Sequence, residues 1–398
     1  MISQQKQIAV RATYMRGGTS KGVFFNLADL PAGMREDAAL RDAFLMRVIG
    51  SPDKYRQHID GMGGATSSTS KVVLIGRSTR DDCDVDYLFG AVAVDRPVID
   101  WSGNCGNLSS AVGPFAIQRG MVDAPRNGTA TVRIWQANIG KKIIAHVPMA
   151  DGEVQEVGDF ELDGVSFPAA EIKLEFIEPG ADEDSEGGAM FPTGRMIDRI
   201  DVPGVGVIEA TLINAGNPTI FVDAAALGFK GTELQPDING DAAVLARCET
   251  IRAHATVAMG LARTPQEATE KRPHTPKLAF VSPPAAYTAS SGKPVLASDM
   301  DLCARIFSMG KLHHAMTGTG AVAIAVAAAI RGTVVSRMLG TGSRPEVRFG
   351  HPSGTLIVGA VATESDGEWI VEKASMSRSA RRLMDGQVFA PANQIAKR

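Results

Sequence analysis

The sequence predicts a mixed α/β (α+β) protein built from two similar halves that enclose a cleft. Three observations support this. Strand-like apolar runs dominate the first half, punctuated by Gly, Asp and Pro clusters. Helical segments are few, and two of them are unusually rich in small residues. Three stretches of the first half match three of the second in the same order. The chain has 398 residues, room for about two or three domains. We place the division at residues 1–190 and 191–398, with the last residues free to pack back onto the first half.

The strand-like runs are IAVRATYM, GVFFNL, KVVLIGRS, VDYLFGAVAV, ATVRIWQANI and KKIIAHVPM. DAALRDAFLMRVIG (37–50) has helical apolar spacing, acid near its start and Arg near its end. LSSAVGPFAIQRG (108–120) and GAVAIAVAAAIRG (320–332) also read as helices, each stopping at Arg-Gly. EPGADEDSEGGAM (178–190) reads as a surface loop or linker. MSRSARRLMDG (376–386) reads as a basic helical tail segment with a structural role.

The internal matches locate the cleft. With Cys105-Gly106 set over Thr317-Gly318, the residues Gly106, Ala111, Ala116, Arg119 and Gly120 meet Gly318, Ala323, Ala328, Arg331 and Gly332. Upstream, SSTSKVVLI stands over RPHTPKLAFV with Lys71 over Lys277, and YMRGGTSKGVFF over LINAGNPTIFV. Two such halves leave a pocket between them.

Composition narrows the function. Hydrophobic residues make up 44% and charged residues 21%, and the net charge is −3, as in an ordinary globular protein. Scattered Lys and Arg argue against a nucleic-acid or polybasic membrane surface. An anionic small substrate stays possible, because local fields can oppose net charge. The start has no long apolar core, so no secretory signal is expected. AVAIAVAAAI is too short to span a bilayer. Cys83, Cys105, Cys248 and Cys303 lie far apart, without CxxC or Cys/His clustering. Neither a disulfide framework nor a metal site is expected, and a reducing cytoplasm is the expected setting.

The chemistry-bearing residues gather in Gly-rich turns. WSGNCGN (101–107) puts Cys105 at the N-terminus of a helix, where unpaired N–H groups attract anions and favour thiolate. Packing cysteine, nucleophile and proton carrier all remain open. Asn104, Gly106 and Asn107 would form an anion cradle with it. MTGTG supplies Thr317, Gly318 and Thr319 at the second helix start, a site suited to a second carboxylate. GMGGATSSTSK (61–71) lacks the Lys-Ser/Thr of a phosphate loop and precedes a strand. It offers Ser67, Ser68, Thr69 and Ser70 as pocket hydroxyls. Its Lys71 is either a surface residue at a strand end or a desolvated general base. Arg16, Thr19 and Ser20 in MRGGTSKG, and Asn217 in NAGNP, are further anion ligands or simple turn residues. Lys311 and His313 precede the second helix.

RATYMRGGTSKGVFF, IDGMGGATSSTSKVV, DYLFGAVAVDRPVIDWSGNCGNLSSAVGPFAI, VRIWQANIGKKIIAHVP, INAGNPTIFV and FGHPSGTL closely resemble the PrpF family. These are isomerases of the 2-methylcitrate route of propionate breakdown, first described as accessory proteins of an aconitase-like dehydratase. The resemblance spans Ile8 to Phe389. It implies a diaminopimelate epimerase-like fold: two pseudo-symmetric domains, each a β-barrel-like sheet around a central helix, with the active site in the interdomain cleft. In the epimerase each half carries a cysteine at the start of its central helix. Here Thr317 replaces the second, which argues against two-cysteine racemisation. The resemblance implies that Lys71 is the acid/base and Cys105 its neighbour, acting on methylaconitate by allylic proton removal and return. The remaining residues named above would bind a tricarboxylate. No cofactor is implied, because conjugation and bound carboxylates acidify the C–H bond. Coupling to an aconitase-like dehydratase is implied, and homo-oligomerisation stays open. Competing readings are a 4-oxalomesaconate tautomerase or methylitaconate Δ-isomerase of the same fold, and a non-catalytic accessory protein of the dehydratase.

Overall fold

The computed structural model describes residues 6–180, 189–340, 344–365 and 367–395. Most of the acidic segment expected to be a linker, residues 181–188, lies outside the described residues. The rest is a mixed α/β chain on one large mixed sheet.

The first half runs β1 (Gln7–Gly17), β2 (Ser20–Asn26), α1 (Ala38–Ile49), β3 (Lys71–Arg77), β4 (Val85–Val92), α2 (Ser109–Gln118), β5 (Gly128–Gln136), β6 (Lys141–Ala150) and β7 (Ile172–Ile177). The second half begins with β8 (Asp198–Val202), β9 (Gly206–Ala215), β10 (Asn217–Asp223), α3 (Ala242–Ala258), β11 (Lys277–Ser282) and β12 (Leu302–Ser308). It continues with α4 (Gly318–Ala329), β13 (Glu346–His351), β14 (Gly354–Ser365), β15 (Glu368–Arg378) and β16 (Ala380–Pro391).

Strand pairing repeats between the halves. The order β16–β1–β2–β3–β4–β5–β6–β7–β15 and the order β8–β9–β10–β11–β12–β13–β14–β15–β7 share one series of orientations. Each is antiparallel except at β2–β3 and β4–β5, and correspondingly at β10–β11 and β12–β13. Strands β7 and β15 pair with each other where the two orders meet. The strand after each then crosses over: β8 pairs with β9 of the second half, and β16 with β1 of the first.

The sheet wraps two helices. All twelve residues of α4 are buried, as are Ser109 to Ala116 of α2. A helix enclosed on every side needs small apolar residues around its whole circumference. This explains the Ala-rich run that is too short for a bilayer. Indeed no helix among the described residues is long and apolar enough to cross a membrane. Helix α1 starts at Asp37, whose carboxylate accepts from the Ala39 and Leu40 N–H groups, and it stops at left-handed Gly50.

Two segments differ from the sequence reading. Residues 376–386 are the end of β15 and the start of β16, not a helix. Ala374, Met376 and Arg378 point inward in alternation, and pairing with β1 and β7 overrides local helix propensity. The buried Arg378 hides the two-residue period from an apolar-pattern reading. Conversely, the seventeen-residue α3 was not anticipated. Charged residues interrupt its apolar spacing, and Asp241 caps it through the Ala243 and Val244 N–H groups.

Candidate active site

The two central helices meet end to end. The Cys105 carbonyl accepts from the Ser109 N–H at 3.0 Å and the Ser109 hydroxyl at 3.1 Å. The turn through Gly106 and Asn107 is thus the first turn of α2, whose N–H groups the helix leaves unused. At α4, the Thr317 hydroxyl caps the helix, accepting from the Gly320 N–H at 3.1 Å. Gly106 and Gly318 touch. A Cβ on Gly106 would lie 2.7 Å from the Gly318 carbonyl carbon, and one on Gly318 would come closer still to Gly106. Two positive helix ends therefore converge on one point, where anions are favoured.

The turn is braced from the other half. Asn217 accepts the Asn104 N–H at 2.8 Å and donates to the Asn104 carbonyl at 2.9 Å. Asn107 donates to the Thr19 hydroxyl at 3.0 Å and the Met316 carbonyl at 3.2 Å. It accepts from Arg378 Nε at 3.0 Å. Burial pulls the Arg378 guanidinium down to about 10, partly opposed by Cys105, so it remains a cation at neutral pH.

Two lysines line the small pocket at this junction. Lys71 opens β3 and is only 5% exposed, its Nζ 4.8 Å from the centre of the Phe89 ring. Lys277 opens β11 and is 2% exposed. Its Nζ donates to the His274 carbonyl at 3.1 Å and lies 3.5 Å from the Ser308 hydroxyl and 3.4 Å from His274 Nδ1. Burial, and then repulsion from Lys71, lower the Lys277 ammonium to about 7. His274 is held well below the usual imidazole range by burial and by both lysines. Its Nε2–H then faces the Asn104 carbonyl. His313 is likewise neutral through burial and His314, with Nδ1 accepting from the Ala315 N–H.

Of the residues singled out in the sequence, Ser20, Lys71, Asn104, Cys105, Gly106, Asn107, His313, Thr317, Gly318 and Thr319 line this pocket. The pocket is tight, about 10 Å³, and lies beneath a cleft of about 1200 Å³. Ser20, Ser308 and His313 line both. Arg16, Thr19, Ser67, Ser68, Thr69 and Lys311 line the cleft. Two of the expected ligands line neither. Ser70 lies against His58 Nδ1 at 3.3 Å, and Asn217 is the strut just described. The Thr319 hydroxyl and the Asn104 amide nitrogen are buried with no hydrogen-bond partner among the described residues. Both border the pocket, where a ligand oxygen would satisfy them.

The field is positive although the chain carries −3 overall. No carboxylate lines the inner pocket. Lys21, Arg16 and Arg381 stand in one cross-strand row at the cleft, on β2, β1 and β16. Among the described residues, no group of three His, Cys, Asp or Glu is placed to hold a metal. Sequence reasoning missed Lys277, Arg378, His274 and Ser308 as site residues. The match of Lys71 with Lys277 was the signal for the first.

Truncating Asn217 to alanine strands the buried Asn104 N–H and leaves the Asn104 carbonyl with only the longer His274 contact at 3.4 Å. An unsatisfied group costs about 1–3 kcal/mol. The variant is expected to lose at least that much stability in urea unfolding, whereas an unchanged midpoint would show that the strut is dispensable.

Comparison with known proteins shows the family and the fold. The family model described as PrpF protein matches residues 7–391. A 2-methyl-aconitate isomerase of Shewanella oneidensis is 63% identical over 388 residues, covering 97% of this chain and 98% of that protein. The crystal structure of a methylitaconate-delta-isomerase is 39% identical, covers 98% of each chain and superposes with a TM-score of 0.75. A probable proline racemase from Agrobacterium radiobacter K84 is only 12% identical. It covers 95% of this chain and 92% of its own, with a TM-score of 0.54, and so shares the fold.

Proposed function

Because the chain belongs to the PrpF family and is an isomerase, we propose that it interconverts isomers of 2-methyl-aconitate by moving an allylic proton. The observation that carries this reading is the meeting of two helix N-termini over a pocket holding Lys71, Lys277 and Cys105 with no carboxylate. The two sets of strands, each around its helix, are read as the two epimerase-like domains, 1–190 and 191–398, with β16 returned to the first.

The chemistry follows from the groups present. A carboxylate of the substrate sits against the N–H groups near Gly106–Asn107, and another against Gly318–Thr319. Arg16, with Lys21 and Arg381 beside it, draws the trianion into the cleft. Lys71 removes the allylic proton. The electron pair left behind spreads over three carbons and onto the carboxylates, which the helix ends and cations stabilise. The former double bond gains single-bond character, rotation becomes allowed, and return of a proton fixes the new isomer. Cys105 stands beside the reacting carbon as a second acid/base or as the wall that shapes it. The chain's own side chains supply the proton chemistry.

The test is to incubate the isolated protein with 2-methyl-aconitate in D₂O, with no dehydratase present. Isomerisation with deuterium entering at carbon is expected. Absence of both would overturn the assignment and favour an accessory role.

A further inference from the structure

We propose that Lys277 is the second proton carrier of this site, so that one lysine from each half takes and the other gives. The inference rests on the isomerase reading above.

Position is the first argument. Lys71 and Lys277 each open a strand that runs parallel to the second strand of a Gly-turn hairpin, β3 beside β2 and β11 beside β10. They are equivalent residues of the repeat, and they line one pocket with Cys105. Contacts run from the Lys71 amine to the Phe89 ring at 4.8 Å, from Phe89 to the His274 ring at 5.4 Å, and from His274 Nδ1 to the Lys277 amine at 3.4 Å. The amines thus reach one pocket from different halves of the chain, linked through the Phe89 and His274 rings.

Burial is the second argument. Desolvating an ammonium is costly, and a position serving packing alone would be better filled by an apolar side chain. The hydrogen bonds of Lys277 go to neutral groups, the His274 carbonyl and the Ser308 hydroxyl. Among the charged groups around it, Lys71 and Arg252 oppose its charge while Cys105 and Asp100 favour it. The result, an ammonium lowered to about 7, is populated in both forms at neutral pH, which a reversible proton carrier needs.

The balance closes. One lysine, as amine, takes the allylic proton and becomes ammonium, leaving the C–H electron pair in the delocalised anion. The other, as ammonium, gives its proton to that anion, forming the new C–H bond and becoming amine. The protonation states have then exchanged, and proton transfer through water restores them. Rotation within the anion moves the receiving carbon relative to the group that took the proton, so a second carrier from the other half is useful.

Lys277→Met, assayed on 2-methyl-aconitate in D₂O, is expected to slow isomerisation about 10²–10⁴-fold. Deuterium exchange at the position served by Lys71 should persist, and the limb near pH 7 in kcat/KM should vanish. Isomerisation within about threefold of the parent would overturn the proposal, and so would loss of exchange together with isomerisation in a folded variant. If Lys277→Met does not fold, Lys277→Arg is read the same way, because arginine keeps a cation but cannot release its proton. A parent protein inactive on 2-methyl-aconitate would instead overturn the functional reading itself.

Discussion

Lys71→Ala is expected to reduce isomerisation of 2-methyl-aconitate by about a thousandfold or more, the scale on which a positioned acid/base contributes. Deuterium wash-in from the substrate side should fall with it. The loss is chemical rather than structural, because removing Lys71 relieves the repulsion that Lys277 feels instead of creating any. Thermal unfolding should therefore shift little. A separate sign comes from Lys277. With Lys71 gone, one of the two leading causes of its lowering disappears, so its titration should move up from about 7. Full retention of deuterium exchange would remove Lys71 from the role of base.

Gly318→Ala is expected to damage both stability and activity. A Cβ there would overlap the backbone of Gly106 and Asn107, the start of the opposing helix. Backbone cannot swing aside as a flexible side chain can, so the helix ends must separate. Overpacking of this kind costs about 1–3 kcal/mol and occasionally more. The functional penalty should exceed the structural one, because displacement by about 1 Å can cost roughly a hundredfold in rate. Melting temperature and kcat, measured together, check this. A variant with both unchanged would mean that the helix ends do not abut.

Much of this site was legible in the sequence because its parts sit in Gly-rich turns at the ends of recognisable elements. Lys71 heading an apolar strand and Cys105 between two Gly-Asn pairs are local signals. The facing of Gly106 and Gly318 was foreshadowed by the repeat. What stayed hidden depends on long-range pairing. Arg378 lies in a basic stretch that reads as helix until β1 and β7 claim its flanks as strand. Asn217 has the side chain of an anion ligand, yet both ends of its amide are used by the Asn104 backbone. Local sequence cannot reveal that partnership. Lys277 was visible as the counterpart of Lys71, but its burial between His274 and Ser308 required two separated segments to come together. Helix α3 escaped because its apolar face is broken by charge, whereas its capping aspartate was in plain view.

The crossing strands have a further consequence, for the order of events at the ribosome. β1 is made well before its outer neighbour β16, which spans Ala380–Pro391. The sheet around α2 therefore cannot close while the nascent chain is still growing through its second half. Until then the edge of β1 stands open, a template for unwanted strand pairing. Completion of the first half therefore waits for β16 to be made, when the Ala392 N–H meets the Lys6 carbonyl at 3.0 Å. Chains cut short between residues 277 and 380 would hold Lys71, Cys105 and Lys277 yet lack the strand that closes the first sheet.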